Sequence, residues 1–340
     1  MTAEKMRAWA VDIPGPMGTH PLALVERDVP EPGIGQVRVE VSVCGVCRTD
    51  LHLAEGDLAP KHHLAIPGHE VVGRIDAVGP ESTRFNIGDR IGIPWLAHTC
   101  GVCRFCASGR ENLCLNPSFT GWDVDGGYAD YVTVNESYAY PIPDVFSDIE
   151  AAPLLCAGII GFRALRCSGL PPGGRLGIYG FGGSAHLTAQ IALAEGAQLH
   201  VMTRSPAAQR LALELGASSA GDATDLPPEQ LDAAILFAPV GSIVPRAMEA
   251  LDRGGTLAIA GIYLSDIPSL DYDRHLFEER SLRSVTANTR ANGTEFLETA
   301  AQIGIKVSTS AYSFDDANVA LVDLAQDRVN GAAVLVRPSR

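Results

Sequence analysis

The sequence predicts an α/β protein of two parts, a β-rich unit of barrel-like character and a doubly wound parallel sheet. Three observations carry this expectation. The 340-residue length exceeds one small core and suits two domains. Residues 1–152 hold short alternating strands broken by frequent Gly and Pro, as in compact all-β units. From residue 153 onward short apolar strands alternate with helical stretches, the pattern of a parallel sheet covered on both faces.

In chain order, Pro30-Glu31-Pro32-Gly33 is a turn, and Val37, Val39, Val41 and Val43 then alternate with polar residues at the period of a half-buried strand. Val71 to Ile75 and Arg90 to Ile93 read as further strands. In the second part, strands are expected at Arg175–Tyr179, Leu199–Met202, Ala233–Phe237 and Thr256–Ala260. Helices are expected to carry Leu187, Ile191 and Ala194 on one face, to run from Ala207 to Leu215, and to span Val244 to Leu251. From about Asn288 the pattern weakens. The last apolar run, Ala333 to Val336, is expected to return to the first domain. That gives a discontinuous domain of 1–152 with 289–340 around a domain of 153–288.

Composition narrows the function. A net charge of −14 argues against a nucleic-acid partner, because phosphate neutralisation needs a basic surface. No apolar run approaches the ~18 residues of a membrane span, and no secretory leader is visible, so a cytoplasmic location is expected. In that setting the clustering of four of the eight cysteines reads as metal ligation rather than disulfide pairing.

Cys100, Cys103, Cys106 and Cys114 follow a C-x2-C-x2-C-x7-C spacing on one loop. Four thiolates can close a tetrahedron around a structural zinc, although an iron–sulfur cluster takes the same donors. A second set is dispersed. Cys47, His69 and Cys156 supply two thiolates and an imidazole, the donor set of a zinc that keeps one position open. Around Cys47, Thr49 offers a hydroxyl, Asp50 a carboxylate able to orient a ligating histidine, and His52 an imidazole able to pass a proton to solvent. Glu70 follows His69 and is placed to sit beneath the metal and exchange with a ligand. Cys44 ends a strand and reads as a packed thiol, and Lys61-His62-His63 as a solvated loop.

Gly180-Phe181-Gly182-Gly183-Ser184-Ala185 matches G-x-G-x-x-G/A after a strand and at the start of a helix, the context in which the motif cradles a pyrophosphate. At the end of the next strand, Thr203, Arg204 and Ser205 offer no acid for ribose hydroxyls. Removal of that charge, with Arg204 beside it, favours NADP(H) over NAD(H). An Arg204 turned to solvent or stacked on adenine would leave NAD(H) acceptable.

With these residues placed, the chain resembles the zinc-dependent alcohol dehydrogenases of the medium-chain dehydrogenase/reductase family over essentially its whole length. The motifs are Gly45-Val46-Cys47-Arg48-Thr49-Asp50-Leu51-His52, Gly68-His69-Glu70, the four-cysteine lobe, Cys156-Ala157-Gly158-Ile159 and the Gly180 loop. The resemblance implies a GroES-like catalytic domain and a Rossmann domain, two Zn2+ per chain, and a homo-oligomer, tetramer or dimer. It implies that Cys47, His69 and Cys156 bind the catalytic zinc, that Arg48 contacts the coenzyme pyrophosphate, and that Thr49 and His52 relay a proton. A cysteine at 156, where polyol-oxidising relatives carry glutamate, points to a simple alcohol or aldehyde as substrate. Zinc-free quinone or enone reductases and non-catalytic coenzyme binders on this fold are the alternatives. Departures from the family pattern are Ile160 beside the nicotinamide site, where threonine is usual, and Ala332, where many relatives have an arginine. Ala54 and Leu58 stand where yeast-type enzymes have tryptophans while Trp95 is kept, which implies a pocket wider than ethanol needs.

Overall fold

The computed structural model describes residues 4–338. Its strands are β1 (Lys5–Val11), β2 (Leu22–Asp28), β3 (Gln36–Val46), β4 (Val71–Val78), β5 (Arg90–Ile93), β6 (Leu96–His98), β7 (Ser118–Phe119), β8 (Tyr131–Asn135), β9 (Tyr140–Pro141), β10 (Arg175–Tyr179), β11 (Gln198–Met202), β12 (Ser219–Gly221), β13 (Leu231–Leu236), β14 (Leu251–Ile259), β15 (Ser281–Ser284), β16 (Thr309–Ser313) and β17 (Ala332–Val336). Ala157–Thr286 with Gln302–Lys306 form one compact unit, and the remaining described residues form the other.

The first unit is built on a seven-stranded mixed sheet in the order β16-β17-β3-β4-β5-β9, with β8 also on β3. The alternation of Val37, Val39, Val41 and Val43 buries all four in the core, as a half-buried strand requires. One edge of β3 serves two partners in turn: Gln36–Glu40 face β8, and Val43–Val46 face β17. The expected return of the last strand to this unit is therefore observed as an antiparallel pairing. Arg337, buried just beyond β17, donates from Nη1 to the carbonyls of Val41 and Asp130 at 2.9 and 2.8 Å. Together with the ion pair between its Nε and Asp130 Oδ1 at 3.1 Å, these bonds fasten the chain end to the sheet.

The β3–β4 register prepares the site. Cys44 faces Val71, and beyond that pair the Gly45 amide donates to the Glu70 carbonyl at 2.9 Å. Cys47, at the outlet of β3, and His69, at the inlet of β4, thus emerge at the same end of the sheet. Cys44 itself is buried in the core.

The second unit holds a six-stranded sheet in the order β12-β11-β10-β13-β14-β15, every pairing parallel. Numbered within the unit this is 3-2-1-4-5-6, the doubly wound order with its switch point beside β10. The strand expected from Thr256 starts earlier, at Leu251. Gly254, at φ +72°, and Gly255 make an excursion inside it, and the pairing with β13 jumps from Leu251 to Thr256. The preceding helix accordingly stops at Glu249. Ser205 caps the helix Pro206–Glu214 by accepting the Ala208 N–H at 3.3 Å.

Where the sequence pattern weakened, the chain folds into the helix Arg290–Ile303, strand β16 and the helix Ala317–Ala325. Gly293 hid the first of these. It lowers helix propensity, yet a Cβ there would stand 2.3 Å from the Tyr140 hydroxyl.

Candidate active site and metal centres

Cys47 precedes the helix Arg48–Glu55 at its N-cap position. Asp50, in the first turn, reaches back so that Oδ2 accepts the Cys47 N–H at 2.9 Å. Its other oxygen accepts the Gly68 N–H at 2.9 Å and lies 3.3 Å from His69 Nδ1. The Tyr128 hydroxyl approaches Oδ2 at 3.5 Å from the core side. One carboxylate, 2% exposed, therefore ties the Cys47 turn to the His69 turn.

Glycine makes this closeness possible. Gly68 adopts φ +101°, and a Cβ there would collide with the Tyr128 ring at 2.5 Å. A Cβ on Gly45 would fall 1.8 Å from the Glu70 carboxylate, so Glu70 occupies the volume that any other residue at 45 would fill.

Cys156 arrives on a π-helical turn, Leu154–Gly158, directly after Pro153. Proline lacks the N–H that an α-helical ladder needs, and a widened turn follows it. Leu155 packs over Gly92 of β5, where a Cβ would meet its methyls at 2.7 Å. That contact anchors the turn to the sheet.

Sγ of Cys47 and Sγ of Cys156 are 3.9 Å apart, and the donor atoms of Cys47, His69, Glu70 and Cys156 all lie within 4.8 Å of one another. Four ligands at a Zn–S distance of about 2.3 Å place sulfur atoms about 3.8 Å apart at the edge of a tetrahedron. The observed spacing fits that edge. His69 is 1% exposed and its Nε2 has no hydrogen-bond partner, a cost that a cation would remove. The electrostatics agree. The bond with Cys156 and the nearby imidazole draw the Cys47 thiol well below its ordinary range, against the cost of burial. Cys156 is pushed up by the same bond and by burial. Burial pulls His69 down, but Asp50 and Cys47 outweigh it and the net shift is upward. Burial and the Cys47 charge raise Glu70. A buried donor cluster of this kind exchanges its protons for a divalent cation.

The four-cysteine lobe is the second cluster. Cys100, Cys103, Cys106 and Cys114 bring their Sγ atoms within 4.8 Å of one another, with 3.6 Å between Cys103 and Cys106 and 3.5 Å between Cys100 and Cys114. These separations are far beyond a disulfide and close to a tetrahedral edge. Backbone amides donate to the sulfurs, from Cys103 to Cys100 at 3.4 Å and from Asn116 to Cys114 at 3.4 Å. Donors from Cys106 and Leu115 lower the Cys103 thiol to about 6. The donor set is all sulfur and closed, which suits a structural zinc. Glu111, inside the lobe, accepts both the Arg290 N–H at 2.7 Å and a two-pronged guanidinium bond.

The remaining expected residues are placed as follows. Thr49 Oγ1 is 3.9 Å from Cys47 Sγ. His52, partly exposed, pairs through Nδ1 with Asp57 at 3.0 Å. Arg48 is exposed and forms an ion pair with Asp327. Trp95 meets His69 edge-on at 5.0 Å between ring centroids. Leu58 is partly exposed, and Ala54 has no exposed surface and packs in the core. In the second unit, Gly180 sits at φ +84° where a Cβ would meet the Ala238 amide at 2.8 Å. Gly182 and Gly183 face open space at the start of the helix Gly183–Ala194, leaving room for a phosphate at uncapped N–H groups. Thr203 is buried and its amide donates to the Gly221 carbonyl at 2.9 Å, while Arg204 and Ser205 are exposed and Ile160 is partly so. Sequence reasoning missed Tyr128, Phe119, Trp122 and the Glu111–Arg290 pair. Their contacts form only in the folded chain: Glu111 lies inside the four-cysteine motif, but its partner is 179 positions away.

Comparisons with known proteins agree with this geometry. Residues 33–144 match the family described as alcohol dehydrogenase GroES-like domain, and residues 183–302 match zinc-binding dehydrogenase. The chain is 58% identical over 340 residues to a probable alcohol dehydrogenase, AdhA, of Mycobacterium tuberculosis, covering 98% of each. Among solved structures it resembles a putative zinc-binding dehydrogenase of Sinorhizobium meliloti bound to NADP, with 26% identity, TM-score 0.84, and 98% and 99% of the two chains covered. It also resembles an NAD-dependent alcohol dehydrogenase, with 25% identity, TM-score 0.88, and 97% and 99% covered. With both donor clusters and the doubly wound sheet in place, the chain belongs to the zinc-dependent alcohol dehydrogenases of the medium-chain dehydrogenase/reductase family.

Proposed function

We propose that this enzyme interconverts alcohols bulkier than ethanol with their aldehydes or ketones, using NADP(H) in preference to NAD(H). The observation that carries the site is the gathering of the Cys47, His69, Glu70 and Cys156 donor atoms within 4.8 Å around a buried imidazole nitrogen without a partner. Cys47, His69 and Cys156 hold the catalytic zinc, Glu70 stands close enough to exchange with one of them, and the four-cysteine lobe holds a second ion. Bound zinc supplies a Lewis acid that acidifies an alcohol hydroxyl or polarises a carbonyl, and the bound nicotinamide supplies the hydride acceptor. Thr49, beside Cys47 Sγ, takes up the hydroxyl proton, and His52, partly exposed and paired with Asp57, carries it towards water. Asp50 orients His69 through Nδ1. In the second unit the open Gly182-Gly183 segment binds the pyrophosphate and Ile160 borders the nicotinamide, and the family resemblance gives Arg48 a pyrophosphate contact.

The coenzyme preference is read from this chain's own residues, since its relatives include one bound to NADP and one described as NAD-dependent. Thr203, Arg204 and Ser205 place no carboxylate at the end of β11, and the exposed Arg204 guanidinium suits a 2′-phosphate. Leu58 in place of a larger ring supports the wider pocket. No helix among the described residues is long and apolar enough to cross a membrane. The family resemblance supports a homo-oligomer, dimer or tetramer, and a cytoplasmic location is part of the same proposal.

Steady-state kinetics with NADPH and NADH against aldehydes of increasing bulk test the reading. A higher kcat/KM with NADPH, rising beyond acetaldehyde, is expected. Equal or better use of NADH overturns the roles of Thr203 and Arg204, and a maximum at acetaldehyde overturns the wide pocket.

A further inference from the structure

Trp95, Phe119 and Trp122 form a stack that leads away from His69. Ring centroids are 4.9 Å apart for Trp95 and Phe119 at an interplanar angle of 17°, and 6.1 Å for Trp95 and Trp122 at 10°. Phe119 and Trp122 are 6.0 Å apart at 24°. All three rings are only partly buried, and Phe119 and Trp122 pack against the core of the unit.

The turn that carries Trp122 is held by itself. Asp123 Oδ2 accepts the Phe119 N–H at 3.0 Å, the Phe119 carbonyl receives the amides of Trp122, Asp123 and Val124, and the Thr120 amide donates to the Trp95 carbonyl at 2.8 Å. A Cβ on Gly121 would lie 3.0 Å from the Gly68 amide, so the turn rests directly on the His69 segment. The loop after Leu58 has no such internal ladder and leans on Trp122. The indole N–H donates to the Ala59 carbonyl at 2.9 Å, and the Lys61 ammonium lies 4.5 Å from the Trp122 ring centroid. A rigid turn thus holds a less regular loop through the Trp122 side chain, with His62 Nε2 3.6 Å from Asp125 Oδ1 just beyond it, and that loop carries a residue of the expected pocket wall.

We propose that Trp122 is a specificity-determining positioning residue: it fixes the Leu58–Lys61 loop and, stacked with Trp95 and Phe119, completes an aromatic wall that selects alcohols bearing an aromatic or conjugated group over straight-chain alcohols of equal carbon number. The proposal rests on the dehydrogenase reading above. A ring laid along such a wall gains offset stacking that a linear chain does not. Aromatic pairs contribute enough beyond area burial to change a rate ratio about 3- to 10-fold.

The test compares the zinc-loaded wild type, Trp122→Ala and Trp122→Phe with benzyl alcohol and 1-heptanol as substrates. For Trp122→Ala the ratio of kcat/KM values, aromatic over aliphatic, is expected to fall about 3- to 10-fold, mostly through the KM for benzyl alcohol. Trp122→Phe keeps a ring but loses the bond to Ala59 and is expected to fall between the two. An unchanged ratio in Trp122→Ala, with two zinc ions per chain and wild-type thermal stability, overturns the proposal. A readout independent of turnover separates its failure from that of the dehydrogenase reading. Two of the three tryptophans of the chain lie in the stack, so benzyl alcohol is expected to quench intrinsic fluorescence at concentrations where 1-heptanol does not. Quenching without turnover keeps the wall and discards the activity. Turnover without aromatic preference or selective quenching keeps the activity and discards the wall.

Discussion

Asp50 shows how much one side chain can organise. It accepts the amides of Cys47 and Gly68 on separate oxygens and faces His69 at 3.3 Å. Asp50→Asn keeps the shape but turns one oxygen into a donor facing a buried N–H, at a cost of about 1–3 kcal/mol. Outer partners of this kind typically alter metal affinity about 10- to 100-fold. We expect the variant to melt earlier and to lose one of its two zinc ions to a chelator at concentrations the wild type resists, measured by scanning calorimetry and metal analysis. Unchanged zinc retention would remove Asp50 from the positioning of His69. The residue type and its spacing from Cys47 were legible in the sequence. That its second oxygen would hold the Gly68 amide, 18 positions away, was not, because that bond exists only once β3 and β4 are in register.

Among elements, the four-cysteine lobe and the helix Arg290–Ile303 are joined by one ion pair. Glu111 is largely buried and takes three bonds from the Arg290 side chain and a fourth from its amide. Burial alone would raise the Glu111 carboxyl, but the Arg290 bonds outweigh it and the net value is lowered. The sign of the pH dependence follows. The contribution is fully present above the ordinary carboxyl value of about 4.3 and is lost as pH falls from there through the lowered folded value. Glu111→Gln should therefore melt below the wild type at neutral pH, with the difference shrinking in acid. Melting curves taken from pH 7 down to pH 3 check this, and a difference that grows in acid would contradict the pairing. Neither partner stood out in the sequence. The helix itself was obscured by Gly293, whose absent side chain makes room for Tyr140, so a tertiary contact overrode local helix propensity.

At the scale of the whole molecule, the two metal centres make different demands. A closed tetrathiolate site contributes directly to folding, whereas an open site serves chemistry. Cys103→Ala should lower the melting temperature more than Cys47→Ala, while Cys47→Ala should abolish turnover and leave one zinc per chain. Calorimetry, metal analysis and rate measurements on both variants separate these outcomes. Equal destabilisation would argue against a division into structural and catalytic ions.

The sequence by itself determined the fold class, the alternation that builds each sheet, the four-cysteine loop and the residue types of the dispersed site, since these depend on period, spacing and donor chemistry within short windows. The tertiary structure decided what joins those windows. It set the β3–β4 register that brings Cys47 to His69, the π-helical turn that presents Cys156, the glycines that yield space to Glu70 and Tyr128, and the aromatic stack rooted on His69. Each is a contact between residues far apart in the chain, and such contacts are fixed by packing rather than by local preference.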